Sequence, residues 1–189
     1  MKSESPIRTL RRAGRRTRRH GRPRRGGGSR GSTAIYLTVV VLVALAWWSS
    51  RAPQRQAVVE DVLDGDSLVV RMDGRRVTVR LFGIDCPEKG QPHSRAARSL
   101  TRSLALDQPV TVRVMDTDRY GRQVGVVGLP DGRTLNHELV SSGLAWWYRY
   151  HAPDESDLAT REKAAREAGL GLWQDPDPTP PWEFRREKK

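Results

Sequence analysis

A single cysteine, Cys86, stands among 189 residues, so no intrachain disulfide can form. That does not fix the compartment, because an extracytoplasmic domain of this length needs none once its core is adequate. The four histidines show no ligand spacing. His137-Glu138 opens an H-E-x-x-H pattern, but position 141 is Ser, so a zinc-protease helix lacks its second ligand. Asp116-Thr117-Asp118 with Gly121 imitates the start of an EF-hand loop, yet its twelfth position is Val127 instead of Glu. Cys86 has no histidine close in sequence to serve as a base, although a distant one could fold against it. No internal repeat is present. Zinc proteolysis, EF-hand calcium binding and local Cys–His catalysis are thereby set aside.

Charge imbalance is also missing from most of the chain, despite a formal net charge of +12. Residues 1–33 hold 12 of the 34 Lys and Arg and one of the 22 acids, Glu4, leaving 22 basic and 21 acidic residues beyond them. The basic character belongs to a tail, and its Arg- and Gly-rich run has no apolar period, so disorder is expected there. A nucleic-acid-binding arm is the alternative. A near-neutral domain can still bind a polyanion, through a local basic site.

Residues 34–48, "AIYLTVVVLVALAWW", are apolar except for Thr38. Fifteen helical residues rise about 22 Å, short of the ~30 Å hydrocarbon core, and the small polar flanks extend this to about 28 Å. Trp47 and Trp48 suit an interface, and a basic block before the run predicts a cytoplasmic N-terminus. We expect a transmembrane signal-anchor over 34–50, with the downstream domain outside the cytoplasmic membrane. A cleaved signal peptide competes, since Ala44-Leu45-Ala46 resembles a cleavage site and would give a secreted protein. A buried core helix is the plainest alternative.

Residues 51–56 read as a polar linker, and strand-like patterning begins at Ala57. Strands are predicted over 57–63, 67–72, 75–84, 110–115 and 123–129, with Asp73-Gly74 forming a two-residue hairpin turn. In residues 94–106, apolar positions 96, 97, 100, 104 and 106 mark a helical face. A second helix is expected from an Asn136 cap to Gly143, and a third over 154–168. Five short strands followed by helices predict a small β-barrel with helices packed on it. The proline-rich 175–189 predicts no regular structure, though Trp182 and Phe184 could dock back on the domain.

Three charged clusters remain: "LDGDSL" (63–68), "RLFGIDCPE" (80–88) and "DTDRYGR" (116–122). Each alone can be an ordinary turn or solvated loop. Together they are chemically complete. Asp66 and Asp85 are hard oxygen donors suited to Ca²⁺ or Mg²⁺. Two arginines can hold a phosphate in forked geometry and stabilise charge growing on pentacovalent phosphorus. Glu88 can orient or deprotonate the attacking water. That is the equipment of metal-assisted phosphodiester hydrolysis.

The ordered set "DGDSL…RLFGIDCPE…DRYGR…NHELVSSGLAWWY", over residues 57–174, resembles the staphylococcal nuclease (thermonuclease) family. The resemblance implies an OB-type five-stranded barrel with about three helices. It implies that Asp66 and Asp85 are calcium carboxylates, with the backbone carbonyl of Cys86 as a further ligand. Glu88 would hold the attacking water, Arg80 and Arg122 would clamp the scissile phosphate, and Tyr120 would contact the nucleotide. Tyr148 or Tyr150 would stack on a base; the register in "WWYRY" runs one residue shorter than in the staphylococcal enzyme. Ser67 and Cys86 replace threonines of that enzyme. Periodicity puts Arg80 and Asp85 on opposite strand faces, so the resemblance requires a bend near Gly83–Asp85.

The expected activity is Ca²⁺-dependent hydrolysis of DNA, and of RNA as a second substrate, to 3′-phosphate products. Mg²⁺ and Mn²⁺ are the other cations two aspartates accept, and a monomer is expected. A non-catalytic nucleic-acid or ligand-binding barrel tethered to the membrane is the alternative. A third reading makes the protein an envelope interaction protein working through its tail and anchor.

Overall fold

Period-two alternation builds the barrel. In β2 (Ser67–Met72), Leu68, Val70 and Met72 point inward, and in β3 (Arg75–Leu81) Val79 and Leu81 do the same. The computed structural model describes Val40 and residues 53–188; the predicted tail, the anchor apart from Val40, and linker residues 51 and 52 lie outside the described residues, while Gln54–Gln56 of the predicted linker belong to the first strand. Residues 53–188 carry everything below. Among the described residues no helix is long and apolar enough to cross a membrane.

Five strands close in the order β1 (Gln54–Val62), β2, β3, β6 (Gln123–Gly128), β5 (Pro109–Thr117), with β3 and β6 parallel and the other neighbours antiparallel. Closure gives every barrel strand a neighbour on both sides, although β3 meets β6 over Val79–Leu81 alone. The register slips between Val59 and Asp61 and again between Val114 and Asp116, and such irregularities add the local twist a small barrel needs. Two further strands, β4 (Ile84–Asp85) and β7 (Trp146–Trp147), pair outside the barrel. The strand predicted over 75–84 breaks at the turn of Phe82 and Gly83, which leaves Ile84 in β4; β7 was not predicted, two residues being too few to show a period.

Between residues 53 and 188 there are four helices rather than about three, α1 (Ser94–Ala105), α2 (Leu135–Ser141), α3 (Ser156–Glu167) and α4 (Pro181–Glu187), with a 3₁₀ turn at Gly171–Gln174. The buried stripe of α1 is Ala97, Thr101 and Ala105, whereas Ala96 is exposed. Thr101 can be buried because its hydroxyl donates to the Gly65 carbonyl at 2.6 Å.

Asn136 does not cap α2; Thr134 precedes the helix, and Asn136 is buried within it. Its Oδ1 accepts from Val127 N at 3.1 Å and its Nδ2 donates to the Phe82 carbonyl at 2.9 Å, bridging β6 to the turn after β3. Helix α4 corrects the expectation for 175–189. Pro181 is its first residue, where a fixed φ and a missing N–H cost nothing.

Two apolar cores result. One fills the barrel and the space beneath α1 and α2; the other gathers Trp146, Ala165, Leu172 and Trp173, with Trp182 against them. Trp146 meets Trp173 edge-on at 4.4 Å and Trp182 at 5.6 Å.

Candidate active site

The turn between β1 and β2 aims Asp66 inward. Asp64 Oδ1 accepts the Asp66 N–H at 3.0 Å, and Leu81 N donates to the Asp66 carbonyl at 2.8 Å, tying the turn to the end of β3. The Asp66 carboxylate accepts the Cys86 N–H at 2.6 Å and the Ser67 hydroxyl at 3.3 Å. It is 5% exposed, so these bonds replace the water it has lost.

The bend required between Arg80 and Asp85 is present. Gly83 takes φ 75°, the left-handed conformation that glycine adopts without steric cost, and reverses the chain into β4. Arg80 Nη2 then lies 2.7 Å from Asp85 Oδ1 while Nη1 contacts the Asp66 carboxylate. One planar guanidinium thus joins two carboxylates that start on different strands. Burial opposes the charge on Arg80, but Asp66 and Asp85 outweigh it and keep the guanidinium protonated. At Asp85, only 1% exposed, burial raises the carboxyl above its ordinary value despite the bonds from Arg185 and Arg80.

Cys86 contributes its backbone. Its thiol is buried, and burial followed by the negative charge of Asp66 holds it well above the usual thiol range. A neutral thiol there is neither nucleophile nor ligand.

Glu88 is partly exposed on the next turn, where Gln91 Oε1 accepts its backbone N–H at 2.7 Å. Its carboxylate meets Arg185, which the sequence reading did not single out. Arg185 Nη1 lies 2.6 Å from Glu88 Oε1, and its Nη2 lies 2.8 Å from Asp85 Oδ2. The nearest signal for it was the proposal that Trp182 and Phe184 dock back. Trp182 does dock; Phe184 instead lies beneath Lys188, whose Nζ is 4.1 Å from the ring centroid.

Asp66, Arg80, Asp85, Cys86 and Glu88 are therefore gathered at one place. Arg122 and Tyr120 form a separate group in the β5–β6 loop. Asp118 Oδ2 accepts from Arg122 Nε at 2.7 Å, and the Arg122 guanidinium carbon stands 5.5 Å from the Tyr120 ring centroid. Parallel pairing of Val79 with Gln123 and Arg80 with Val124 brings the end of this loop alongside β3. Tyr120 is 68% exposed, free to meet a large ligand. Tyr148 and Tyr150 touch each other at 5.9 Å, but they differ in freedom: Tyr148 is covered by His151 and Trp182, while Tyr150 is 75% exposed.

Among the described residues no three His, Cys, Asp or Glu side chains form a metal cage. The paired carboxylates nonetheless suit a hard divalent cation completed by backbone carbonyls and water. Their buried negative charge exceeds what Arg80 balances, and a second cationic group, the Arg185 guanidinium, is drawn onto Asp85. The donor set thus already selects positive charge at this spot.

Comparison with known proteins agrees with this assembly. The family described as staphylococcal nuclease homologue matches residues 78–175, which include Arg80 through Glu88 and the Arg122 loop. A micrococcal nuclease of Shigella flexneri is 39% identical over 165 residues, covering 82% of this chain and 92% of the relative. An uncharacterized endonuclease of Escherichia coli O157:H7 is 41% identical over 127 residues, 67% of this chain and 82% of the relative. Protein ParB of Escherichia coli is 37% identical over 163 residues, covering 82% and 89% respectively. With barrel, carboxylate pair and sequence in agreement, this chain belongs to the staphylococcal nuclease family and is a nuclease.

Proposed function

We propose that the enzyme is a Ca²⁺-dependent phosphodiesterase that hydrolyses DNA, with RNA as a second substrate, to 3′-phosphate ends. The observation that carries this reading is the Asp66–Arg80–Asp85 cluster: two nearly buried carboxylates held by one arginine at the mouth of a barrel. Asp66, Asp85 and the Cys86 carbonyl would hold the cation, which when bound supplies Lewis-acid charge to the phosphate. Glu88 stands beside this set and orients the attacking water or takes its proton as the new P–O bond forms; the bond to the 5′-oxygen breaks, and that oxygen takes a proton from solvent water. Arg80 meets the phosphate from the carboxylate side. Arg122, kept in orientation by Asp118, approaches from the neighbouring loop, and both stabilise charge that grows on the equatorial oxygens. Tyr120 contacts the nucleotide. Between the two tyrosines offered for stacking, the exposed Tyr150 is the better placed for a base.

Residues 34–50 would hold the enzyme at the cytoplasmic membrane with the barrel outside. In fractionated cells the chain then resists alkaline extraction; a soluble chain lacking residues 1–46 would support the cleaved-signal alternative.

The catalytic test uses the purified full-length chain in mild detergent with end-labelled DNA. Cleavage should stop with EDTA, return with Ca²⁺, and leave 3′ ends that accept extension only after phosphatase treatment. Glu88→Gln should lower kcat by about 10² or more. Equal rates for wild type and Glu88→Gln would refute the assignment. Tight binding with intact DNA would favour the non-catalytic barrel.

A further inference from the structure

The C-terminal helix delivers a charge to the site's carboxylates from outside residues 78–175, the segment that matches the family. Arg185 donates from Nη2 to Asp85 Oδ2 at 2.8 Å, from Nη1 to Asp85 Oδ1 at 3.2 Å, and from Nη1 to Glu88 Oε1 at 2.6 Å. The guanidinium thus spans a residue proposed to hold the cation and the one proposed to hold the attacking water. Its aim is set by an aromatic anchor three residues earlier, on the same helical face. Trp182 packs against Trp146 at 5.6 Å and Tyr148 at 5.3 Å between ring centroids. A second fixing point lies before the helix, where Gln91 Nε2 donates to the Thr179 carbonyl at 3.1 Å.

Charge balance decides what this contact does. Asp66, Asp85 and Glu88 carry three negative charges against one on Arg80, and Asp64 beside Asp66 adds to the deficit. Arg185 meets part of it, on the same Asp85 oxygens a cation would need. A cation and a guanidinium crowded onto one carboxylate repel each other, so seating one weakens the other.

We propose that α4 is an intramolecular latch that competes with the divalent cation: Arg185 closes on Asp85 and Glu88 in the cation-free enzyme and must withdraw for the cation to bind. The inference rests on the cation-site reading given above. Docking and cation binding are reciprocally coupled, whichever occurs first. A latch closed nine-tenths of the time would weaken apparent cation affinity about tenfold.

The test is isothermal titration of Ca²⁺ into the full-length chain in mild detergent, without nucleic acid. Arg185→Gln should bind Ca²⁺ about fivefold to tenfold more tightly than wild type. Trp182→Ala, which frees the helix but keeps its charge, should shift affinity in the same direction. Arg186→Gln removes the same charge one residue away, on a side chain that among the described residues pairs with Glu183 at 3.9 Å, and should stay within about twofold of wild type. Thermal melts establish that each variant is folded.

Unchanged or weaker binding by Arg185→Gln overturns the latch, as does an equal gain in Arg186→Gln. Failure of the latch alone is recognised by Ca²⁺ binding in the wild type that Asp85→Asn abolishes while Arg185→Gln leaves it unaltered. If no variant binds Ca²⁺, or Asp85→Asn binds like wild type, the cation-site reading falls and the latch falls with it.

Discussion

Gly65 gives the most direct test of how the fold supports the site. A Cβ built there would lie 2.8 Å from each of three atoms: Ala97 Cβ, Cys86 Cβ and Cys86 Sγ. Two are Cβ atoms fixed to their own backbones, so neither can swing aside. The methyl of Gly65→Ala must therefore push the β1–β2 turn, helix α1 and the Cys86 segment apart by several tenths of an ångström. Overpacking of this kind costs about 1–3 kcal/mol. For a domain of this size that is a fall of roughly 4–12 °C in Tm. Asp66 is the next residue and its carboxylate accepts the Cys86 N–H at 2.6 Å, so the displacement reaches the cluster directly. Misplacement of a reacting group approaching 1 Å costs on the order of 100-fold in rate, and a smaller shift should cost about tenfold.

Circular dichroism melts in EDTA, paired with initial rates on labelled DNA, measure both effects. Cys86→Ala removes one of the three clashing atoms. The double variant should therefore melt higher than the sum of the single effects predicts. If Gly65→Ala melts within about 1 °C of wild type and keeps full rate, the close approach is not a constraint and the reasoning fails.

Two further outcomes follow from the buried polar contacts. Asn136→Ala strips partners from the Val127 N–H and the Phe82 carbonyl, and should lower the urea-unfolding free energy by roughly 2–4 kcal/mol at constant slope. A loss below about 0.5 kcal/mol would mean those groups find other partners. Cys86→Thr should retain activity within a few-fold and Arg80→Ala should not, while the native Cys86 thiol should resist a thiol-blocking reagent until the chain is unfolded; rapid inactivation of the native enzyme would contradict the backbone-only role of Cys86.

The strands were legible where period-two alternation runs into a turn residue, as in β2; β3 instead stops at Leu81, three residues before its predicted end, and β1 starts at Gln54, inside the predicted linker. β2 matches its predicted bounds, and β6 falls one residue short of them at its C-terminal end. What the pattern hides is non-local. Thr101 reads as a polar interruption of the α1 stripe until its hydroxyl is seen to satisfy the Gly65 carbonyl. Asn136 reads as a cap because caps are its usual local use, whereas its real partners, Phe82 and Val127, stand 54 and 9 residues away in sequence. The tail misled through its prolines, which forbid a helix interior but open one when Pro181 is first. In the site, residue type alone supplied the carboxylates and arginines. The meeting of Arg80 with Asp85 required the turn at Gly83, and strand periodicity argued against it. Arg185 lies 100 residues from Asp85, beyond the reach of any spacing rule.

These particulars share one cause. Burying a carboxylate costs several kcal/mol unless a partner of opposite charge replaces the lost water. Asp66 and Asp85 are 5% and 1% exposed, and the barrel supplies one arginine between them. The fold thus leaves the pair under-compensated, and a second positive group is favoured wherever it can reach. In this structure that group is the tail's own guanidinium; during catalysis, under the proposed mechanism, it is the cation. Filling the deficit permanently, with a second arginine rooted in the barrel, would stabilise the chain and remove its affinity for metal. A charge carried instead on a short terminal helix, held by Trp182 and the turn before it, can compensate the carboxylates at rest and still be displaced. Under the proposed mechanism, the burial of the two aspartates that makes them costly to leave uncompensated is also what would draw a cation to them.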